Sequence, residues 1–526
     1  MFNQVIGLGV LPTSLTELTL GGAFNKVIEV GTLPTSLITL SFHGNTAGGS
    51  RFNQKLRPGV LPSSLQYLRL GDSFKHPIKP NVLPLSLKTL TLASRFDQSI
   101  SGVLPMSLAM LTFGHFFNKP INKGDLPSSL TKLSFGSSFN QKLIADLLPT
   151  SLTELSFDKY SHQLDMSILP SSLTSLHISR LYKSIVQPTA STPNGLVHLS
   201  IENCTEKILP GQLPNTFVHL DINNYNNNTL EPGSMPSSIT TLIFDNNFIQ
   251  QLEKGILPPR LTTLCLGDSF SNDDQDIKPD TLPETLTSLN CGYRYNRDLA
   301  GKLPSSLRTL ILGQLFNHKL NKNTLPASLT SLKVGSAFKH VLKHMPPSLT
   351  DLTIYSFGQL KYVRCPLKSL SLSKAASHSP IAPRTDTLDT LSIGSKIPYG
   401  IVSHYLHRSQ FIKKVMATIP NVHTYNFTMF CYHQEYVDIV RKVNDCYSIL
   451  VSTLTTKEYD QPPFIKKSIH FIVNHSVINT QMSEELKRLR LENEVLMMQL
   501  VCMVPLSSSL PLPEDHPLYT KSEPTQ

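Results

Sequence analysis

Cysteine is scarce in this chain and follows no pattern. The seven present (Cys204, Cys265, Cys291, Cys365, Cys431, Cys446 and Cys502) include no CxxC pair. That argues against a structural zinc site and against a disulfide framework. Charge is also thin. Only 16% of residues are charged, and the net +10 is spread with no Lys/Arg run longer than a pair. This reads as a mildly basic soluble surface rather than a nucleic-acid footprint. No apolar run reaches a membrane-spanning length, and the N-terminus has no charged-apolar-small signal pattern. The expectation is a reduced, intracellular, cytoplasmic protein with no membrane and no nucleic-acid partner. The sequons at Asn203, Asn227, Asn426 and Asn474 are then chance matches.

Catalytic motifs are missing as well. There is no kinase Gly-rich loop, His-Arg-Asp or Asp-Phe-Gly set, and no G-x-S-x-G elbow. Asp273, Asp274 and Asp276 make an acidic loop that lacks the glycine and terminal glutamate of a calcium loop, so it reads as a solvated insertion. The expectation is a non-enzymatic chain with no cofactor and no metal.

What the chain has is a repeat. The unit Leu-Pro-x-Ser-Leu-x-x-Leu-x-Leu-Gly-x-x-Phe-Asn first runs from Leu11 to Asn25 and restarts at Leu33, Leu61, Leu83, Leu104, Leu126, Leu148 and Leu169. It continues at Leu213, Met235, Leu257, Leu282, Leu303 and Leu325. A fixed period of about 20 residues indicates a solenoid. In one unit, Pro34 blocks helix. Leu37, Leu40 and Phe42 then alternate with Thr39 and Ser41, the period-two signature of a short strand. Strand units of this kind can be counted from Leu15 to Leu388, eighteen in all. Stacked in parallel they span on the order of 80 Å. The segments between them carry Pro or Gly and leave no room for a long helix, so the other side should be extended or made of short turns.

Three positions of the repeat read as having local roles. Glycine after the strand (Gly21, Gly71, Gly114, Gly136, Gly267, Gly313, Gly335) would supply a corner with positive φ. Serine in L-P-x-S-L would bond its own turn. The Asn of Phe24-Asn25, Phe52-Asn53, Phe117-Asn118, Phe139-Asn140 and Phe316-Asn317 would satisfy backbone groups of neighbouring turns, with the Phe filling the return side of the core.

Phe52-Asn53-Gln54, Phe139-Asn140-Gln141 and the L-P-x-S-L blocks resemble FNIP repeats, a family related to leucine-rich repeats and known mainly from social amoebae and some giant viruses. The resemblance covers roughly residues 2–395 and implies a leucine-rich-repeat-like arc of short parallel strands. Family members often join such repeats to an F-box or a kinase domain. Met1-Phe2-Asn3-Gln4 begins in mid-repeat, and solenoids need polar end caps. A longer natural chain is therefore the expectation, with a frayed first turn as the alternative.

The outward strand positions are mostly small hydroxyls, but the middle repeats differ. Glu154, Asp158, His177, His198, Glu202, His219, Asp221 and Asp245 fall on consecutive repeats, and His198 and His219 share one column. Such a run could meet a protein partner, a metal or a phosphate. Splayed, water-exposed side chains disfavour a metal, so the reading kept is a partner-binding patch on the concave face, against a bland alternative of variable solvated positions.

The repeat stops near residue 395. Residues 396–478 read as a small mixed α/β C-terminal cap, with a helix over 401–419, a possible second helix at Tyr436–Val443, and strands at Val422–Phe430, Tyr447–Leu454 and Phe464–Val473. An independent binding module is the alternative. Over 479–504, Leu486, Leu489, Asn493, Leu496, Leu500 and Met503 alternate at spacings of three and four, a coiled-coil-like helix in which a buried Asn sets register. A homodimer is expected there, against docking of one amphipathic helix. Residues 505–526 read as a disordered tail. The combined reading is a protein-interaction scaffold. The runner-up is the substrate receptor of an F-box-type ubiquitin ligase whose N-terminal part is missing. A catalytic set hidden among His404, His407, His423, Cys431 and His433 matches no motif.

Overall fold

The computed structural model describes residues 2–42, 49–162, 164–180, 195–204, 207–223, 230–271, 275–355, 357–372, 387–396, 422–431, 434–442, 447–456 and 464–473. Eighteen strands, from β1 (Glu17–Thr19) to β18 (Leu388–Lys396), correspond one to one with the units counted in the sequence. Each pairs in parallel and in register with the next, as Leu18 with Leu40 and Leu40 with Leu68. The result is a parallel β-solenoid. Between strands, the described residues hold only turns, extended chain and two short 3-10 segments, Met166–Ile168 and Phe357–Tyr362.

The core forms because each unit turns the same side chains inward. Leu65, Leu68, Leu70, Phe74, Ile78, Val82 and Leu83 of one repeat are all buried, and the equivalent positions repeat along the stack. Phenylalanines at the Phe-Asn position, Phe74-Lys75 and Phe96-Asp97 included, line up as a column of rings: Phe24, Phe52, Phe74, Phe96, Phe117, Phe139 and then Tyr160, with centroids 6.1–6.4 Å apart. A second run links Phe248, Phe270, Tyr295, Phe316 and Phe338.

Polar groups stitch repeat to repeat. The side-chain oxygen of Asn25 accepts the Asn53 N–H at 2.9 Å, and that of Asn118 accepts the Asn140 N–H at 2.9 Å, as expected for this motif. The next residue adds a second tie. Gln141 Nε2 donates to the Asn118 carbonyl, and where histidine replaces glutamine, His76, His162, His318 and His340 bond the equivalent Asn carbonyl.

Two local assignments need correction. Serine of L-P-x-S-L does not bond its own turn: Ser36 Oγ donates to the Leu15 carbonyl at 2.7 Å and Ser86 Oγ to the Leu65 carbonyl at 2.6 Å, one repeat back. The turn itself is closed by backbone, Leu37 N–H to the Pro34 carbonyl. Nor do the seven post-strand glycines named above sit at positive φ, although Gly292, after β13 (Ser288–Asn290), does, at 78°. At Gly267 an added Cβ would stand 1.3 Å from the Asp245 carbonyl oxygen, so close stacking, not a left-handed corner, demands glycine there. Positive φ occurs instead two residues before the Leu-Pro step, where Gly59, Asn81, Gly102, Gly124 and Asp146 occupy successive turns. These are the residue types that tolerate it.

Beyond β18 the ladder continues. β19 (Val422–Cys431) pairs in parallel with β18, then turns antiparallel into β20 (Gln434–Lys442), β21 (Tyr447–Thr456) and β22 (Phe464–Val473). The predicted strands are there, but the helix expected over Tyr436–Val443 is strand as far as Lys442. Its spacing of Tyr436, Val437, Ile439 and Val440 fits either period, and pairing on both sides, with β19 and β21, decides for strand. The helix expected at 401–419, the coiled-coil segment with Leu486 to Met503 and the tail at 505–526 lie outside the described residues.

Candidate functional site

The site lies on the outward face of five consecutive strands: β7 (Glu154–Phe157), β8 (Ser175–Arg180), β9 (His198–Asn203), β10 (His219–Ile222) and β11 (Thr241–Phe244). Register fixes its columns. Glu154, Ser175, His198, His219 and Thr241 are successive partners in one. Ser156, His177, Ser200, Asp221 and Ile243 follow in the next. Because the ladder is parallel and in register, neighbours in a column sit about 4.8 Å apart.

Three of the eight expected residues converge. Asp221 gives one carboxylate oxygen to each of two imidazoles: His198 Nε2 is 3.1 Å from Oδ2 and His219 Nε2 is 2.8 Å from Oδ1. The two rings stand 4.4 Å apart, edge to face. Ser175 Oγ lies 3.3 Å from His198 Nδ1. The cluster is only partly open, with Asp221 22% exposed and the two histidines near 35%. Burial acts to raise the Asp221 carboxyl. Hydrogen bonds from His198 and His219, with their charges, outweigh it and hold the group below the ordinary carboxylate range.

The others divide into separate contacts. His177 Nε2 meets Glu202 Oε1 at 2.9 Å, and Glu154 Oε1 meets Lys132 Nζ at 2.7 Å. Asp245 accepts the Asn247 N–H in its own turn. Asp158 is not drawn into the His-Asp cluster; its N–H bonds the Phe135 carbonyl. A shallow hollow of about 270 Å³ adjoins the patch, lined by Thr112, Lys132, Ser134, Glu154, Ser156 and His177. Lys132 and Ser175 were missed as members of the site, although their place in the outward columns was legible from the repeat.

In the acidic loop Asp273 and Asp274 lie outside the described residues. Asp276 takes a structural role: its carboxylate accepts the Tyr295 hydroxyl at 3.0 Å and pairs with Lys302 at 2.5 Å, tying its repeat to the next. Cys265, one column partner beyond Ile243, is half-buried. Burial pushes its thiol up, with Asp268 and Asp221 adding to the shift, so it is a poor nucleophile. Of the residues weighed for hidden catalysis, His423 and Cys431 stand eight apart on β19. His404, His407 and His433 lie outside the described residues. Among the described residues no helix is long and apolar enough to cross a membrane.

Comparison with known proteins places these repeats. The family described as FNIP Repeat matches residues 2–45, 52–95, 96–138, 117–160, 139–181, 225–269, 274–315 and 316–357. The stretch from 182 to 224 is unmatched, and it carries β9 and β10 with His198, Glu202, His219 and Asp221. Four of the eight patch residues thus fall in a stretch that the family model does not match, while β9 and β10 keep their place in the strand ladder. Among solved structures, the crystal structure of CroV588, described as a novel circular LRR protein, is similar over 81% of this chain at 31% identity and a TM-score of 0.53. This chain spans 64% of that one, under two thirds of its length. No curated protein matches the chain. With matches over more than half of the sequence, in step with the structural repeat, the chain belongs to the FNIP repeat family.

Proposed function

We propose that the chain is a non-enzymatic protein-interaction scaffold that presents the outward, concave face of β7–β11 to a protein partner. One observation carries this reading: carboxylates and imidazoles concentrate on this stretch, whereas strands further along the stack, such as β4 and β17, offer Thr89 and Thr91 or Ser369 and Ser371 at the same positions. Small hydroxyls suit a dense ladder on its own. Glu154, Asp158, Glu202, Asp221 and Asp245 make an acidic stripe on a chain of net charge +10, which suits a partner surface bearing lysine or arginine.

Affinity purification of the full chain from its own cells tests this, run beside a variant carrying Glu154→Ala, His177→Ala and Glu202→Ala. All three side chains are exposed or part-exposed, so the fold should survive. The expected result is a recurrent partner lost from the variant. A partner set unchanged by the three substitutions contradicts the reading, and cullin and adaptor subunits in both eluates would favour the ligase alternative. Self-association through 479–504 belongs to the same proposal and rests on the spacing of Leu486, Leu489, Asn493, Leu496, Leu500 and Met503. A monomeric mass by light scattering at micromolar concentration would end it.

A further inference from the structure

We propose that His198, His219 and Asp221 form a site for a divalent transition ion of the zinc type. One ligand atom from each residue lies within 4.8 Å of the other two. Side chains splayed into water would disfavour a metal; here two imidazoles converge on one carboxylate instead, at 2.8 and 3.1 Å. Tetrahedral zinc with bonds of about 2.0–2.2 Å sets its ligand atoms roughly 3.3–3.5 Å apart. Each ring nitrogen needs to part from its carboxylate oxygen by a few tenths of an ångström, and the ligand atoms, which lie within 4.8 Å of one another, need to draw in to that spacing. Two imidazole nitrogens and one carboxylate oxygen leave the fourth position to water on the solvent side, a donor set that suits zinc and its neighbours better than calcium or magnesium.

Ser175 supplies the second observation. Its hydroxyl faces His198 Nδ1 at 3.3 Å. It can donate to Nδ1 while Nε2–H is bonded to Asp221, and accept from Nδ1–H once Nε2 holds the ion. Outer partners of this kind fix the tautomer of a ligating histidine. The other strand-face histidine, His177, has Glu202 alone, and His76, His162, His318 and His340 spend Nε2 on Asn carbonyls. Bound there, the ion would brace β9 to β10 within the patch. This inference does not depend on the partner reading.

The test is titration of Zn²⁺ into tag-free, chelator-stripped full-length protein by calorimetry, with Co²⁺ absorption as a second probe. Wild type, the His198→Ala/His219→Ala pair, Ser175→Ala and His177→Ala are compared, each checked for folding by circular dichroism. The expected result is one equivalent bound by wild type and His177→Ala but lost from the double variant. Ser175→Ala keeps the stoichiometry with affinity reduced about tenfold. Zn²⁺ should raise the melting temperature of wild type and His177→Ala but not of the double variant, and Co²⁺ should show tetrahedral visible bands. Equal stoichiometry and affinity in wild type and the folded double variant would overturn the assignment.

Discussion

Alanine at Gly114 should force two repeats apart. Gly114 follows β5 (Met110–Thr112), and its backbone lies outside the left-handed region, so alanine is conformationally acceptable. On that ground alone Gly→Ala would stabilise by about 0.4–1 kcal/mol through the unfolded chain. Packing opposes this. The new Cβ would stand 1.9 Å from the Ala93 carbonyl oxygen, 2.3 Å from its carbon and 2.7 Å from Ser94 Cα. All three are backbone atoms of the preceding repeat, so no side chain can swing away. Reaching a tolerable 3.0 Å requires a retreat of about 1.1 Å in a close-packed stack. Overpacking typically costs about 1–3 kcal/mol, and a rigid obstacle puts this case at the upper end, for a net loss of about 2–3 kcal/mol. Gly21 is the matched control: it has the same motif position, and its Cβ would meet nothing within 4 Å. The assay is urea unfolding of both variants, with hydrogen exchange over residues 87–117 to localise the effect, since long arrays need not unfold as one unit. Equal stability of Gly114→Ala and Gly21→Ala would refute the close-approach argument.

Three further outcomes follow from the same geometry. Phe139→Ala removes a fully enclosed ring from the aromatic column and should cost about 3–5 kcal/mol in urea unfolding; a loss below 1 kcal/mol would show that the column is not a core element. Ser86→Ala leaves the Leu65 carbonyl without its hydroxyl donor and should cost about 1 kcal/mol, read as a shift in urea midpoint at constant slope. Asp221 has a folded-state pKa below its unfolded one, so its contribution is present above the usual carboxylate pKa near 4 and is lost as pH falls through the lower folded value. The stability gap between wild type and Asp221→Asn should accordingly be larger at about pH 5 than at about pH 2.5; an unchanged gap would contradict the hydrogen bonding assigned to this carboxylate.

The ladder was legible because its signal repeats. Leu37, Leu40 and Phe42 alternate inward in every copy, and eighteen copies in step leave little freedom of register. The Phe-Asn pairs were legible for the same reason. Apart from the Asn ladder, what reaches across the period could not be read. Ser36 looks like a turn residue within its own unit; its bond to Leu15 exists only because stacking brings residues 21 apart into contact. Gly267 looks like a corner until the neighbouring carbonyl is in place. The strand Gln434–Lys442 was ambiguous in spacing and was settled by partners on both edges. In the candidate site, the shared column of His198 and His219 was plain in the repeat, but the two-residue offset that lets Asp221 serve both rings depends on side-chain direction, which periodicity does not carry.

The most direct test of the partner-binding account is a footprint of the complex recovered with the full chain. Hydrogen exchange and residue-level cross-linking would be compared with and without the partner. The account predicts protection and cross-links concentrated on β7–β11, at Glu154, His177, Glu202 and their neighbours, with the Asn ladder and β22 unchanged. A footprint confined to the Asn ladder, to the cap strands or to the first repeats would contradict it.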